Sequence, residues 1–217
     1  MEKYLRHYAE PETAALDGLF EPGQWENVLV IPACNESSDF LRPPPPCGGR
    51  SLMILVINES PSVTGEVSRN NQALAAAVSE RFISQWQSAE EFGLTLFQDP
   101  LTARDVLLVD RFNEGRKLPL KGGVGHARKI GGDLAASLIY QKRVCSPWIH
   151  CSDADVHLPQ RYFSCSTALS DTCAQNTAAL VYPFRHSIAE HKPGDETTDS
   201  HRHKIMQVTR LYEYSLR

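Results

Sequence analysis

The chain has 217 residues, of which 41% are hydrophobic, and a formal net charge of −4. About 100–200 residues is usual for one domain, so we predict a single domain over residues 1–217. Charged residues make up 22% of the chain and form no long runs of one sign, which gives no electrostatic reason to expect a nucleic-acid partner.

The N-terminal half of the chain alternates apolar runs with polar turns. Residues 1–26 are rich in acidic and turn-forming residues and are predicted to be an extension before the first strand. The apolar runs at 28–31 and 52–57 are typical of strands buried on both faces of a parallel sheet. Successive prolines between them exclude a long helix and leave room for one helical turn at 38–41. Apolar residues spaced by three and four predict a helix over about residues 70–89.

The C-terminal half continues this alternation. Three further strands are predicted, at residues 106–109, 148–151 and 179–182. A glycine-rich turn beginning at Lys121 leads into a helix that extends to Val144. Leu158-Pro159 begins another helix, because proline is favoured in a first helical turn. Residues 185–203 are predicted to form a flexible polar loop, and 204–217 a last helix without a stop signal.

Strands that alternate with helices predict an α/β fold with right-handed crossovers and a mostly parallel sheet sandwiched by helices. Ligands of such sheets bind beyond the carboxyl ends of the strands. Polar residues follow four of the predicted strands, at Cys34-Asn35-Glu36, Asn58-Glu59-Ser60, Asp110-Arg111 and Asp153-Ala154-Asp155. The sequence therefore predicts one polar crevice at this edge of the sheet.

The sharpest feature of the sequence is Asp153-Ala154-Asp155, in which two carboxylates one residue apart follow a buried strand. Two such charges cannot both enter a core, so they need a cation, a partner or water. A divalent ion such as Mg²⁺ or Mn²⁺ takes one or two carboxylates and completes its shell with phosphate oxygens. A lone D-x-D is also common in solvated turns that cap a helix.

A glycine-rich stretch at residues 122–125 lies upstream of this pair and is followed by Arg128 and Lys129 at the opening of a helix. Helix N-termini, free amides and basic side chains all attract phosphate. The stretch lacks the G-x-x-x-x-G-K-[ST] pattern of a P-loop, and it does not follow the first strand as a dinucleotide fingerprint does. Together with the paired carboxylates it favours a diphosphate ligand.

Four motifs, in this order, resemble those of the family 2 type of GT-A glycosyltransferases. VLVIPACNES at 28–37 is similar to the family's V-I-P-x-Y-N-E, and INES at 57–60 stands where V-D-D-G-S is frequent. GVGHARKIG at 123–131 is similar to G-x-x-x-A-R-N-x-G, and IHCSDADVHLP at 149–159 to D-A-D-x-x-x-P. The resemblance covers about residues 27–184. It implies a GT-A (Rossmann-like) fold and a metal-dependent glycosyltransferase.

The resemblance also implies which residues bind the nucleoside of a UDP- or GDP-sugar. The residues after the first strand would border it, namely Pro32, Ala33, Asn35 and Glu36. Glu59 or Asn58 would take the place of the acid that reads the base. Two departures leave the choice between UDP and GDP open, because Cys34 replaces a frequent aromatic residue and Asn-Glu-Ser-Pro replaces the second acidic motif.

For the diphosphate and the sugar, the resemblance implies contacts from the two later motifs. Arg128, with Gly123 in the glycine-rich turn, would contact the diphosphate. Asp153 and Ala154 would face the ribose and the donor sugar, and Asp155 would hold the Mn²⁺ or Mg²⁺ that bridges the phosphates. The predicted catalytic residues are therefore Asp153, Asp155 and Arg128.

Inversion, which the resemblance implies, needs a general base to take the proton of the acceptor hydroxyl. In this family the base is usually an acid well downstream of the D-x-D motif. The acids available here fall in the predicted polar loop, at Glu190, Asp195, Glu196 and Asp199, and none is a convincing base. We therefore expect a donor-binding domain that lacks its C-terminal acceptor part, truncated at the C-terminus.

Two alternatives stay open at this point. A nucleotidyltransferase that makes nucleotide sugars would want a glycine-rich basic loop after the first strand, where this chain has Pro32 to Glu36. A nucleotide-sugar-binding domain without catalysis is the second alternative. The histidines of the polar segment, among them His201 and His203, are more often solvated than bound to metal.

The N-terminus mixes charges with apolar residues, and nowhere do 18 apolar residues follow one another. We therefore expect a cytoplasmic protein without a transmembrane segment, and leave peripheral membrane contact open. The six cysteines form no C-x-x-C pair, which disfavours a zinc site and favours reduced, mostly packed thiols. They are Cys34, Cys47, Cys145, Cys151, Cys165 and Cys173.

Overall fold

The computed structural model describes residues 1–16, 24–42, 49–164 and 176–182. The chain divides into two compact units, Met1–Leu169 and Ser170–Arg217. The first unit carries a six-stranded sheet flanked by helices. Within the described ranges, no helix is both long and apolar enough to cross a membrane.

Three strands in the first unit are buried along their whole length, because helices and loops cover both faces of the sheet. They are the first, second and fifth strands along the chain, and they extend the three apolar runs of the sequence by one to two residues at each end. In chain order the elements are α1 (Glu2–His7), a 3₁₀ helix (Pro11–Leu16), β1 (Asn27–Ala33), a 3₁₀ helix (Ser38–Leu41), β2 (Ser51–Asn58), α2 (Gly65–Arg81), β3 (Ile83–Gln87), β4 (Leu94–Gln98), β5 (Arg104–Arg111), α3 (Gly123–Tyr140) and β6 (Ile149–Cys151).

The strands lie in the order β3-β4-β5-β2-β1-β6. β5, β2, β1 and β6 are parallel to one another, whereas β3 and β4 form an antiparallel hairpin beside β5. The prediction of a mostly parallel α/β sheet is therefore confirmed. The parallel strands follow one another outward from β1 to β2 and β5, and the chain then returns to place β6 on the other side of β1. This reversal is the topological switch point of the sheet, where a Rossmann-like fold leaves a crevice.

Helix α3 covers one face of the sheet and approaches it most closely at Gly131. A Cβ atom at this position would lie 2.3 Å from Cγ1 of Val30 and 3.3 Å from Cγ2 of Val56. Only a glycine lets the helix backbone come this near to β1 and β2. The buried side chains of α3 that pack on this face are Ala127, Ile130, Leu134, Ala135 and Leu138.

Residues 1–16 pack against α3 and against the end of β5. The Tyr4 hydroxyl donates a hydrogen bond of 2.8 Å to Oδ1 of Asp133. Glu12, which is 2% exposed, forms a buried ion pair with Arg111. Residues 1–16 of the predicted N-terminal extension are thus attached to α3 and to the end of β5.

The predicted helix over residues 70–89 is wrong in its second half. Helix α2 ends at Arg81, and Ile83–Gln87 form β3, which pairs with β4. Apolar residues in a short window fit a period of two as well as 3.6, and only the pairing with a distant strand decides between them. Leu94–Gln98, which form β4, were not predicted as a strand.

The strand predicted at residues 179–182 is wrong as well. Ala179–Tyr182 form no strand, and Val181 is 88% exposed. A four-residue apolar run is too short for periodicity to establish a strand. After Leu158-Pro159, residues 160–163 form turns, and the predicted helix beyond 164 lies outside the described residues. The loop 185–203 and the last helix 204–217 lie there too, as do the prolines at 43–46.

Candidate functional site

A cleft of about 460 Å³ lies at the carboxyl ends of β1, β2 and β6, at the switch point of the sheet. The residues after these strands and the first turn of α3 line it. It therefore gathers most of the residues that the sequence motifs singled out. The predicted site residues that line it are Pro32, Glu36, Asn58, Glu59, Gly123, Arg128, Asp153, Ala154 and Asp155.

The other two predicted site residues, Ala33 and Asn35, do not line this cleft. Ala33 is buried in β1 at 1% exposure. Asn35 adopts a left-handed conformation with φ of 64°, which asparagine tolerates better than most residues. Its backbone N–H donates to Oδ1 of Asn71 at 2.9 Å, and its side-chain oxygen accepts from Asn70 at 2.8 Å. Asn35 therefore fixes the turn after β1.

Arg128 and Asp153 form an ion pair that joins α3 to the segment after β6. Their side chains are 44% and 52% exposed, so water screens the pair and it contributes little to stability. An anionic ligand can therefore recruit the guanidinium at small cost. Among the described residues that line the cleft, Arg128 is the only lysine or arginine. Lys129 is turned away, and its Nζ lies 2.7 Å from Oδ2 of Asp133.

Four acidic residues line the cleft, and apart from Glu59 they are Glu36, Asp153 and Asp155. Burial raises the pKa of Glu36, and the charges of Asp155 and Asp153 raise it further. A cation at this point would relieve that repulsion. In the described part of the chain, no three acidic, histidine or cysteine side chains lie close enough together to hold a metal ion. One or two carboxylates are nevertheless enough for Mg²⁺ or Mn²⁺ when phosphates complete the shell, so the donor set fits such an ion bound with a diphosphate.

Asn58 is the last residue of β2 and Glu59 follows it, but the two side chains differ in whether their oxygen atoms already accept hydrogen bonds. The Oε1 atom of Glu59 accepts a 2.7 Å bond from Ser68 and lies 3.0 Å from Nζ of Lys117. Its Oε2 accepts a 3.3 Å bond from Asn71. Asn58 is 5% exposed, and its Oδ1 has no hydrogen-bond partner in the described structure. Of the two, only Asn58 keeps an unsatisfied acceptor, and because that atom is itself buried, the side chain must turn toward the cleft for a ligand to reach it.

The pKa of Glu59 follows from these contacts. Burial opposes the charged form and would raise the pKa, but the bonds from Ser68, Lys117 and Asn71 outweigh it and lower the pKa. Glu59 is therefore a charged anchor that ties α2 and the segment around Lys117 to the end of β2.

Sequence reasoning missed the residues of α2 that support the cleft, Ser68 and Asn71. Asn71 is fully buried and contacts the turns after both β1 and β2. Both residues continue the apolar stripe of Leu74 and Val78 by steps of three and four. Polar residues on the buried side of a helix need internal partners, and this pattern was the available signal.

The expectation of packed thiols is wrong for the cysteines that the structure describes. Cys34, Cys145 and Cys151 are free and exposed. Cys34 and Cys151 stand at the ends of strands, where a parallel sheet opens into its crevice. Although Cys34 as a whole is exposed, partial burial of its thiol raises its pKa, and the charges of Glu59 and Glu36 add to this effect. Cys47, Cys165 and Cys173 lie outside the described residues, as do the histidines of the polar segment.

Comparison with known proteins adds no relative that would name a function. No family model matches the chain, and no curated protein or solved structure matches it at a significant level. The resemblance of the four motifs to GT-A glycosyltransferases therefore stays a prediction, and the chemistry of the cleft is what carries the assignment of a function.

Proposed function

We propose that this chain binds a nucleotide sugar in the cleft and, with Mn²⁺ or Mg²⁺, transfers the sugar to an acceptor, as a glycosyltransferase of the GT-A type. One observation carries the proposal. Asp153-Ala154-Asp155, Arg128 and the polar ends of β1 and β2 meet at the switch point of a mostly parallel sheet. Carboxylates for a metal, a cation for phosphate and acceptors for a base are the groups that a nucleotide diphosphate requires.

The start of α3 supports a diphosphate subsite. Gly123 and Val124 line the cleft, and the first N–H groups of a helix have no acceptors within the helix itself. The positive end of the helix dipole lies at the same point. Arg128 adds a full positive charge, held toward the cleft by Asp153. Phosphate oxygens would accept hydrogen bonds from both sources.

Asn58 supports a nucleoside subsite at the end of β2. Its buried Oδ1 without a partner favours a ligand that brings an N–H donor, because an unsatisfied buried acceptor costs about 1–3 kcal/mol. The ring N–H of uracil or guanine is such a donor. Glu36, on the neighbouring strand end, would accept from a ribose hydroxyl.

In the proposed reaction, the acceptor oxygen bonds to the anomeric carbon while the bond from that carbon to the diphosphate breaks. The acceptor proton leaves to a base. A metal ion held by Asp155, when bound, neutralises charge on the leaving diphosphate. Arg128 and the N–H groups of α3 stabilise the same charge, so the contribution of the protein is mainly electrostatic.

A thermal-shift panel of UDP- and GDP-sugars, with and without Mn²⁺, tests the proposal. We expect at least one nucleotide sugar to raise the melting temperature, and Mn²⁺ to increase that rise. Asp155→Asn should lose the Mn²⁺-dependent part, because one carboxylate ligand is gone. Glu80→Gln, at an exposed position of α2, removes an equal charge away from the cleft and should keep the full shift.

The same panel has outcomes that contradict the proposal. No shift with any nucleotide sugar would overturn it. An equal shift for Asp155→Asn with Mn²⁺ would remove Asp155 from the metal site. Binding without transfer to any acceptor tested would assign the chain to the non-catalytic nucleotide-sugar-binding domains.

A further inference from the structure

A second cavity of about 460 Å³ lies against the same segment as the cleft. Leu29 and Ile31 of β1 and Met53 of β2 line it, and all three are buried apolar side chains. Phe40 of the 3₁₀ helix and Phe163 add aromatic surface. The cavity thus has a largely apolar interior inside the first unit.

The two cavities share a wall. Glu36 and the residues 153–155 line both of them. A molecule in the second cavity would therefore have one end next to the carboxylates that border the cleft. A ligand in the cleft would contact such a molecule at that end.

The cavity exists because the crossover from β1 to β2 has little helix. A parallel crossover usually carries an α-helix that packs on the sheet. Here the described part of the crossover forms only the 3₁₀ helix Ser38–Leu41, and the four prolines after it exclude a longer helix. Leu29, Ile31 and Met53, which face away from α3, line the cavity. On this side, the described part of the crossover contributes no α-helix to the wall.

The charges around the cavity restrict what it can hold. Asp39 and Asp153 are paired with Arg42 and Arg128. Glu36 and Asp155 form no ion pair with any residue that the structure describes. Among the described residues of the lining, Arg104 is the one lysine or arginine. It is buried, donates a 2.6 Å bond to the carbonyl of Leu41, and its guanidinium lies 3.8 Å from the carboxylate of Asp99. The exposed rim is therefore acidic and disfavours an anionic head group.

We propose that this cavity is the acceptor site, and that the acceptor is an amphipathic molecule without negative charge. Its alkyl or aromatic body lies against Leu29, Ile31 and Met53. Its hydroxyl lies at the shared wall, next to the donor sugar. The role as acceptor site rests on the proposed glycosyltransferase function, whereas binding in the cavity is independent of it.

Methyl NMR of protein labelled with ¹³C-methyl methionine tests binding directly. The chain has three methionines, and of these Met53 lines the cavity while Met1 is 63% exposed. The probe is n-octyl β-D-glucoside below its micelle concentration. We expect a saturable shift of the Met53 signal, assigned by Met53→Leu, and an unchanged Met1 signal.

Two matched compounds separate the contributions of the body and the head. Glucose lacks the alkyl chain, and n-octyl β-D-glucuronide carries a carboxylate in place of a hydroxymethyl group. Each should bind at least about tenfold more weakly than the glucoside. Equal binding of the glucuronide would overturn the charge argument, and equal binding of glucose would overturn the apolar site.

Two variants connect the shift to the cavity. Leu29→Phe fills it, and Phe40→Ala removes part of its half-buried wall without touching the strands. Either should weaken octyl glucoside binding at least about fivefold. If Leu29→Phe fails to fold, Phe40→Ala alone decides. Unchanged binding by a folded variant would overturn the proposed position.

The donor assay distinguishes failure of this inference from failure of the proposed function. A nucleotide-sugar shift without any response of Met53 would overturn the cavity as a site and leave the donor cleft in place. A response of Met53 in a protein that binds no nucleotide sugar would overturn the acceptor role. Transfer of sugar to octyl glucoside, reduced by Phe40→Ala, would support both.

Discussion

Asn71 holds two of the three strand ends that form the cleft. Its side chain accepts from the backbone of Asn35 and donates to the carbonyl of Asn58 at 3.2 Å and to Glu59. A buried amide that uses both its oxygen and its nitrogen in this way fixes two turns relative to each other. The geometry of the cleft at the ends of β1 and β2 thus depends on one residue of α2.

Asn71→Ala should lower the free energy of unfolding by about 2–3 kcal/mol, because it leaves a backbone N–H and a carbonyl without their buried partner. Asn70→Ala is the matched control, since Asn70 is exposed and, within the described residues, its side chain bonds only that of Asn35. The control should cost less than about 1 kcal/mol. Urea unfolding measures both, and equal losses would contradict the assigned role of Asn71.

Glu59 makes stability depend on pH. Its pKa is lowered from 4.5, so folding favours the charged form. The stabilisation is complete above pH 4.5 and is lost as the pH falls through the lower folded-state pKa. Urea unfolding from about pH 7 to about pH 3.5 should show a smaller acid loss for Glu59→Gln than for the wild type. Identical pH profiles would exclude this contribution, and Glu80→Gln controls for the loss of one carboxylate.

At the scale of elements, the close approach of α3 to the sheet depends on which of its glycines faces β1 and β2. Gly131 and Gly132 are adjacent in the same helix, but a Cβ would collide with Val30 at the first and meet nothing within 4 Å at the second. The sequence motif at 123–131 ends at Gly131, and Gly132 follows it directly. Which of them faces the sheet follows from the position of α3 on β1 and β2.

Gly131→Ala should destabilise the fold by about 1–3 kcal/mol, because the helix must move away from the sheet. Gly132→Ala should be neutral or stabilise by up to about 1 kcal/mol, since alanine is the better helix former. Thermal unfolding followed by circular dichroism compares the two. A stable Gly131→Ala variant would contradict the close approach of α3.

Among the elements, the parallel core strands were predictable and the hairpin was not. β1, β2 and β5 are continuous apolar runs, and a run of this kind indicates a strand covered on both faces wherever it stands. In Ile83–Gln87 only Trp86 is half-buried and the other residues are exposed, so this strand has no continuous apolar run. In Leu94–Gln98, buried and half-buried residues are mixed within five positions. The partner strand, and not the local pattern, decides their conformation.

At the scale of the whole molecule, the N-terminal segment is bound to the sheet through a buried charge pair. Glu12 and Arg111 are 99 residues apart in sequence, and their side chains are 3% and 10% exposed. The pair therefore ties the N-terminal segment to the end of β5.

Glu12→Ala should lower the free energy of unfolding by about 3–5 kcal/mol, because it leaves a buried guanidinium without its carboxylate. Glu2→Ala removes an exposed pair with Arg6 and should cost less than about 1 kcal/mol. Urea unfolding at equilibrium measures both variants. A free energy of unfolding equal to that of the wild type for Glu12→Ala would contradict the role of Glu12.

The sequence by itself determined the α/β class and the parallel core, because buried strands are continuous apolar runs. Nine residues of the cleft were predicted, from the polar ends of parallel strands, from the phosphate-binding character of a helix N-terminus and from the resemblance of the motifs. Only the tertiary structure decided which of these residues are already satisfied. Glu59 and Asn58 are indistinguishable as neighbours in sequence, but one is held by Ser68 and Lys117 and the other keeps a free acceptor. The second cavity also follows from tertiary structure, since β1, β2, the 3₁₀ helix Ser38–Leu41 and the segment after β6 come together there only in the fold.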